Sequence, residues 1–368
     1  MRSSTGVYFR NLDHVRAVAI FLVFTWHFIH YDGRYIPFGY VPTFFFPLAL
    51  LSEGNTGVAL FMVLSGYLFA KITRDRDIFY GHFLLNRALR LMPLLLAVIG
   101  LYWLLSRGTS ESPYRLTDAV EGFVLPTWPN GGWSIAVEIH FYALFPALRL
   151  LVRKHWIYLA ATVPCMIVVR YILWRELGAA TLQDLAYATI VGRIDQFVLG
   201  MLGSEYAASA VPQRTRAIIA AAAFIAFALF WQYFTIAGGL MGASGSGLWV
   251  VIPTIEGITY ALVIAWYDGA RPGLPAVVDR YLALVGDLSF SIYLLHPFVI
   301  GWLADHLARV GAPSTHFGVA VLLSWVALMA MLPIAGGSYF LYEKRFLDLK
   351  VSYMVPRKIA APPRMAGA

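Results

Sequence analysis

The stretch Asn11-Leu-Asp-His-Val-Arg-Ala-Val-Ala-Ile-Phe-Leu-Val-Phe-Thr-Trp-His27 opens on polar and charged residues, runs through ten uncharged ones and closes on a histidine. As a helix over about residues 14–31 it is long enough, at about 1.5 Å per residue, to cross most of a hydrocarbon core of about 30 Å. Arg16 interrupts its start and no small-residue cleavage site follows, so it reads as a retained span rather than a signal peptide. Comparable apolar stretches recur at approximately 55–71, 83–106, 133–152, 156–174, 186–206, 217–236, 248–267, 281–303 and 317–342. The composition agrees: 60% of the 368 residues are apolar and 13% charged, against about 45–50% and about 25% in soluble domains. No polar or low-complexity linker divides the chain, and its single cysteine, Cys165, excludes a disulfide scaffold. The fold class expected is an all-α integral-membrane bundle of about ten transmembrane helices.

A net charge of +8 would suggest nucleic acid in a soluble protein, but its distribution argues otherwise. The N-terminal segment, every second loop and the C-terminal tail hold 21 of the 28 basic residues, the alternate loops five, and Arg170 and Arg193 fall inside spans. By the positive-inside rule both termini are expected in the cytoplasm, which an even number of spans requires. The charge is thus a topology signal, and no nucleic-acid partner is expected.

Ionisable residues inside spans are costly, and each is a functional candidate. They are His27, Glu138, Arg193, Asp195, Glu256 and His296. Arg16 and His27 are eleven residues apart, three turns plus roughly 20°, so they share a face, with Asp13 one turn below Arg16. His27 then lies on the order of 16 Å deeper than Arg16. An imidazole there is suited to base, acid or nucleophile chemistry, and a packing histidine bonded to a backbone is the alternative. Counted from the outer ends, His27, Glu138, Arg193, His296 and Asp195 fall about 4–9 residues in, one layer that converges only around a polar cavity. For Arg193 and Asp195 an internal salt bridge is the competing expectation.

Arg87 and Arg90 lie three apart at a helix start and point to one side; with Arg16 they would suit phosphates, whereas placement by topology is the alternative. Ser134 follows the turn signal Asn130-Gly-Gly and is a candidate helix cap. Trp133 is a candidate for an interfacial aromatic belt. The aromatic outer loops at 32–54 and 107–132 could stack on sugars or belong to that belt, and 237–247 reads as a flexible connector. No metal site is expected.

Taken together, these motifs resemble the membrane-bound acyltransferase 3 family, which includes bacterial enzymes that O-acylate polysaccharides and other sugars. The family's arginine, ten residues, histidine signature is similar to Arg16 to His27, preceded by Leu12-Asp13. Its Gly-Val-x-Leu-Phe-x-x-Leu-Ser-Gly segment is similar to Gly57-Val-Ala-Leu-Phe-Met-Val-Leu-Ser-Gly66, and its arginine pair and proline to Arg87, Arg90 and Pro93. Trp-Ser-x-x-x-Glu-x-x-Phe-Tyr-x-x-x-Pro resembles the run from Trp133 to Pro146, with Ile139-His140 in place of a second acidic residue. Tyr-Leu-x-His resembles Tyr293 to His296, and the closing Tyr-x-x-Glu resembles Tyr339 or Tyr342 with Glu343, where Lys344 replaces a proline.

The resemblance implies a ten-helix domain over 1–343, followed by a basic cytoplasmic tail over 344–368 with no esterase-like domain. It implies acyl-CoA as co-substrate with no bound cofactor, a carbohydrate or glycolipid acceptor, the lipid bilayer as surroundings and a bacterial inner-membrane location. By it His27 is the catalytic candidate and Arg87/Arg90 a donor contact. Asp13 would orient Arg16, and Glu138 would orient His27. Arg16, Trp133, Ser134, Arg193, Asp195 and His296 complete the candidate binding set. Direct transfer and an acyl-histidine are both compatible. A transporter or flippase of a glycan or lipid-linked intermediate, and an acyltransferase for a small glycosylated metabolite, are the alternative functions.

Overall fold

The computed structural model describes residues 8–31, 48–74, 76–109, 113–242, 247–309 and 316–355. Most of the outer loop at 32–54, the Gly/Ser run at 243–246 and the tail from residue 356 lie outside these. The longer helices are α1 (Arg10–Ile29), α2 (Gly57–Thr73), α3 (Tyr80–Thr109), α4 (Trp133–Lys154), α5 (Thr162–Leu177), α6 (Ala179–Ala188), α7 (Ile190–Ala208), α8 (Gln213–Ile236), α9 (Ile252–Asp268), α10 (Ala276–Arg309) and α11 (Phe317–Ser338). Among the described residues there is no strand, only an isolated bridge between Ile78 and Met354.

Helices occupy all ten expected positions. By length and apolarity eight of them can cross a membrane, and the bent pair α6–α7 makes a ninth. α9, at 17 residues, sits at the lower limit of a crossing length.

The expected continuous helix over 186–206 is instead broken at Thr189, whose backbone is extended, and the two halves bend by 47°. The break frees the Tyr187 carbonyl from its helical partner, and the Arg193 guanidinium donates to it at 2.9 Å. A polar side chain inserted at a helix break is a recognised cause of such kinks.

The centre of the bundle is made by α1, α2, α7, α9 and α10, which pack mainly on one another. α2 and α7 cross closely because Gly66 faces the Phe197 carbonyl and Gly200 the Val63 carbonyl; a methyl at either would collide with backbone. Small residues at helix crossings are the usual route to tight packing where lipid supplies no hydrophobic drive. The outer helices α3, α5, α8 and α11 carry exposed apolar side chains such as Leu104, Ile172, Leu229 and Val326.

Polar contacts tie one end of the bundle together. Arg10 pairs with Asp279, Lys71 and Tyr67 with Asp268, Arg74 with Glu205 at 3.2 Å and Arg153 with Asp77 at 2.7 Å. Asn11 donates to the Tyr267 carbonyl at 2.8 Å. This basic end therefore holds the starts of α1, α3 and α10 and the ends of α2, α4, α7 and α9.

Residues 344–347 form a further helical turn, and the chain then folds back over the same end as a strap. Phe79 N–H donates to the Tyr353 carbonyl at 2.8 Å, Val355 N–H donates to the Asp77 carbonyl at 2.9 Å, and Tyr353 is buried. Both ends of the described chain consequently meet at the basic end.

Candidate active site

A cavity with about 120 Å³ of space for water-sized occupants runs up from the basic end between α1, α2, α3, α4, α7 and α10. Arg16, Arg87 and Arg90 line one end; Ser65, Glu138, Ser134 and Tyr293 supply polar groups along the rest. Helix geometry explains the cationic end. Arg87 and Arg90 project from the second and third turns of α3, and Arg16 from the second turn of α1, into the same end of the cavity.

The cations differ in how they are held. Arg16 pairs with Asp13 one turn earlier. Arg90 lies 5.8 Å from the Phe290 ring centre. Arg87 lies over Phe69 at 5.0 Å and Phe83 at 5.7 Å, its Nε is buried, and among the described residues no acceptor or carboxylate meets it. A half-buried guanidinium held by aromatic faces fits an oxyanion ligand through its fork of donors.

Glu138 is held from two sides. Ser65 Oγ donates to its Oε1 at 3.0 Å, and so does the Tyr142 hydroxyl from one turn along α4. Its hydrogen bonds thus go to Ser65 and Tyr142, whereas it was expected to reach His27. Ser134 does not cap α4: it donates to the Gly131 carbonyl at 3.0 Å and meets the Tyr293 hydroxyl at 2.8 Å. The turn before α4 needs left-handed backbone at Asn130 and Gly131, and Asn130 secures it by donating to the Leu294 carbonyl at 3.0 Å. Tyr293 is therefore fixed to the start of α4 at the cavity's far end, with Phe61 against its ring.

His27 does not line this cavity. It is reached through Tyr293 and His296: the Tyr293 and His296 rings are 6.0 Å apart, and those of His296 and His27 4.7 Å, edge to face. His27 Nδ1 is 2.8 Å from the Val23 carbonyl, and His296 Nδ1 is 2.6 Å from that of Tyr293. A carbonyl only accepts, so each Nδ1 carries the hydrogen and each neutral ring keeps its lone pair on Nε2. The Nε2 of His296 is buried without a partner among the described residues. The two imidazoles thus meet ring to ring rather than through a hydrogen bond.

The layer expected to converge on one cavity is divided. Arg193 pairs with Glu256 at 3.2 Å, which also accepts from Gln196 at 2.9 Å. Trp133 packs on Tyr187 with the rings tilted and their centres 4.8 Å apart, and it faces Arg193 at 5.9 Å. Asp195 pairs with Arg170 at 2.8 Å and accepts from Thr254. Arg193 and Asp195 do not pair with each other, because residues two apart on a helix point to opposite sides.

Sequence reasoning singled out neither Ser65, Tyr142 nor Tyr293, though all three sit inside the motifs quoted above. It also gave Arg170 no role; the signal was its charge inside an apolar span.

Comparison with known proteins supplies the remaining finding. Two curated bacterial relatives are similar along most of their length. One is acyltransferase MdmB of Streptomyces mycarofaciens, 26% identical over 79% of this chain and 80% of its own. The other is the exopolysaccharide production protein ExoZ of Rhizobium meliloti (strain 1021), 25% identical over 75% of this chain and 87% of its own. No solved structure matches. The profile described as an acyltransferase domain matches residues 9–342, so the chain belongs to the acyltransferase 3 family and is an acyltransferase of multi-pass, all-helical build.

Proposed function

We propose that the protein is an O-acyltransferase of the bacterial inner membrane, spanning it ten times with both termini in the cytoplasm. It moves an acyl group, most simply acetyl, from acyl-CoA to a hydroxyl of a carbohydrate: a cell-surface polysaccharide, lipopolysaccharide or glycolipid. The observation that carries this reading is the cavity, with Arg16, Arg87 and Arg90 at its basic mouth and Ser65, Glu138 and Ser134 along the way to Tyr293. Phosphates would rest on Arg16, Arg87 and Arg90 while the thioester arm extends towards Tyr293.

In this mechanism the acceptor oxygen attacks the thioester carbonyl carbon, the C–O bond forms and the C–S bond breaks. His27 Nε2 takes the hydroxyl proton and returns it to the departing thiolate. His296, its Nδ1–H tied to α10, stands beside it to share the proton while the thiol leaves. The name of ExoZ favours a polysaccharide acceptor.

Membranes containing the protein, incubated with radiolabelled acetyl-CoA and the polysaccharide of the producing strain, test the reading. Label should pass into the polysaccharide with wild type and not with His27→Ala. Transport of unmodified glycan with no consumption of acetyl-CoA would instead establish a transporter.

A further inference from the structure

Tyr293 stands where the cavity and the histidine pair come closest. It lines the cavity, whereas His27 and His296 do not. Its ring centre is nevertheless 6.0 Å from that of His296, which lies 4.7 Å from His27. Tyr293 therefore has the cavity on one side and the histidines on the other. The ring is buried, with Phe61 packed edge to face against it at 6.3 Å.

The hydroxyl of Tyr293 is held by a turn shaped around it. It donates to the Gly131 carbonyl at 3.1 Å and meets Ser134 Oγ at 2.8 Å, and Ser134 reaches the same carbonyl at 3.0 Å. Gly131 has a φ of +74°, and a Cβ there would come within 2.8 Å of the Tyr293 oxygen. Docking the turn does not require these contacts, because Asn130 already ties it to α10 through the Leu294 carbonyl. What they fix is the direction of the Tyr293 ring.

An imidazole that takes a proton from an acceptor hydroxyl also takes one from water. His27 is partly exposed and lies on the inward face of α1 that carries Arg16, so water can stand beside it. A thioester left within its reach would be hydrolysed. The water oxygen would bond to the carbonyl carbon, the C–S bond would break, and a proton from water would pass through His27 to the thiolate. The products are acetic acid and the free thiol. Separating thioester and base until the acceptor arrives prevents this loss.

We propose that Tyr293, latched by Ser134 and Gly131, is the residue that selects an acceptor hydroxyl over water. Its ring partitions the thioester from His27 and gives way when the acceptor enters. The inference rests on the reading that the cavity takes acyl-CoA and that His27 is the base.

The test is release of labelled acetate from radiolabelled acetyl-CoA by the full-length protein in detergent, with no acceptor present. Wild type, Ser134→Ala and Tyr293→Phe are compared, alone and combined with His27→Ala. Each is checked for a monodisperse elution profile and for acetyl-CoA binding. Both single variants keep the ring and lose part of its latch, so each should release acetate about tenfold faster than wild type. Adding His27→Ala should return release to the wild-type level; a merely loosened fold would not show that dependence. Wild-type release from both latch variants, with acetyl-CoA still bound, would overturn the role of Tyr293 and leave the donor site in place. Fast release that persists without His27 would overturn it equally. Absence of acetyl-CoA binding to wild type at millimolar concentration would remove the donor reading itself, and this inference with it.

Discussion

The rings of His27 and His296 stand edge to face 4.7 Å apart, and each Nδ1 is held by a carbonyl of its own helix. Both basic nitrogens are thereby left free, on side chains 269 positions apart in sequence. If His27 is the base, His27→Ala should lower acyl transfer roughly a hundred- to ten-thousandfold with donor affinity kept. His296→Ala should lower it by less, because only the proton's second host is lost. Initial rates of acetyl transfer in membranes check both, and wild-type rates in His27→Ala would end the assignment.

Glu138 and Tyr293 divide two roles within the cavity. Glu138→Gln keeps an oxygen for Ser65 and Tyr142 and removes the charge, so protein yield and thermal tolerance should hold while turnover falls. Tyr293→Phe removes the hydroxyl bound to Ser134 and Gly131. It should loosen the far wall, raising KM for the acceptor several-fold with little effect on donor binding. Steady-state kinetics with each substrate varied in turn separates the two; a change confined to donor KM would contradict this division.

Asp195 is a candidate for binding whose Oδ2 accepts from Arg170 and Thr254 deep between α5, α7 and α9, while its Oδ1 has no partner among the described residues. Leaving one member of a buried ion pair alone costs about 3–5 kcal/mol. Asp195→Asn should therefore cut the thermal tolerance of the purified protein sharply, and Asp195→Asn with Arg170→Met should recover much of it. If both variants kept wild-type stability and only substrate affinity fell, the pair would be part of the binding site.

Lys350 gives a pH dependence with a definite sign. Its pKa, about 7, lies below the ordinary lysine value of about 10.4, so between these two the folded chain binds fewer protons than the unfolded chain. Stability of the free protein should accordingly rise with pH across that window. Arg87 and Arg90 are the charged groups that face Lys350 from α3. Thermal unfolding from pH 7 to about 9 should show this rise in wild type and a flatter profile in Lys350→Gln; equal slopes would exclude Lys350 as its source.

Much of this was legible in the sequence, for identifiable reasons. Span positions follow from runs of apolar residues, which lipid imposes whatever the tertiary arrangement. The common face of Asp13, Arg16 and His27 follows from helix geometry within one element. Partner choice between helices is different, because depth along a helix does not give the direction a side chain faces. Five residues placed in one layer thus separated into the His27–His296 pair, the Glu138 site and the two ion pairs of α7. The kink at Thr189 depends on Arg193 taking up a freed carbonyl, which periodicity does not register. The strap was read as a basic tail because its anchor is a lone amide, Asn86, which donates to the Val351 carbonyl and accepts from the Val351 N–H, a pairing no motif announces.

The central claim is that the cationic cavity receives an acyl-CoA donor, and thermal unfolding of the detergent-purified protein with and without acetyl-CoA tests it without knowledge of the acceptor. A ligand that binds the native state raises apparent stability. The account predicts a dose-dependent upward shift in wild type and in His27→Ala, and none in Arg87→Ala/Arg90→Ala. No shift in wild type at millimolar acetyl-CoA, or an equal shift in the arginine variant, would contradict it.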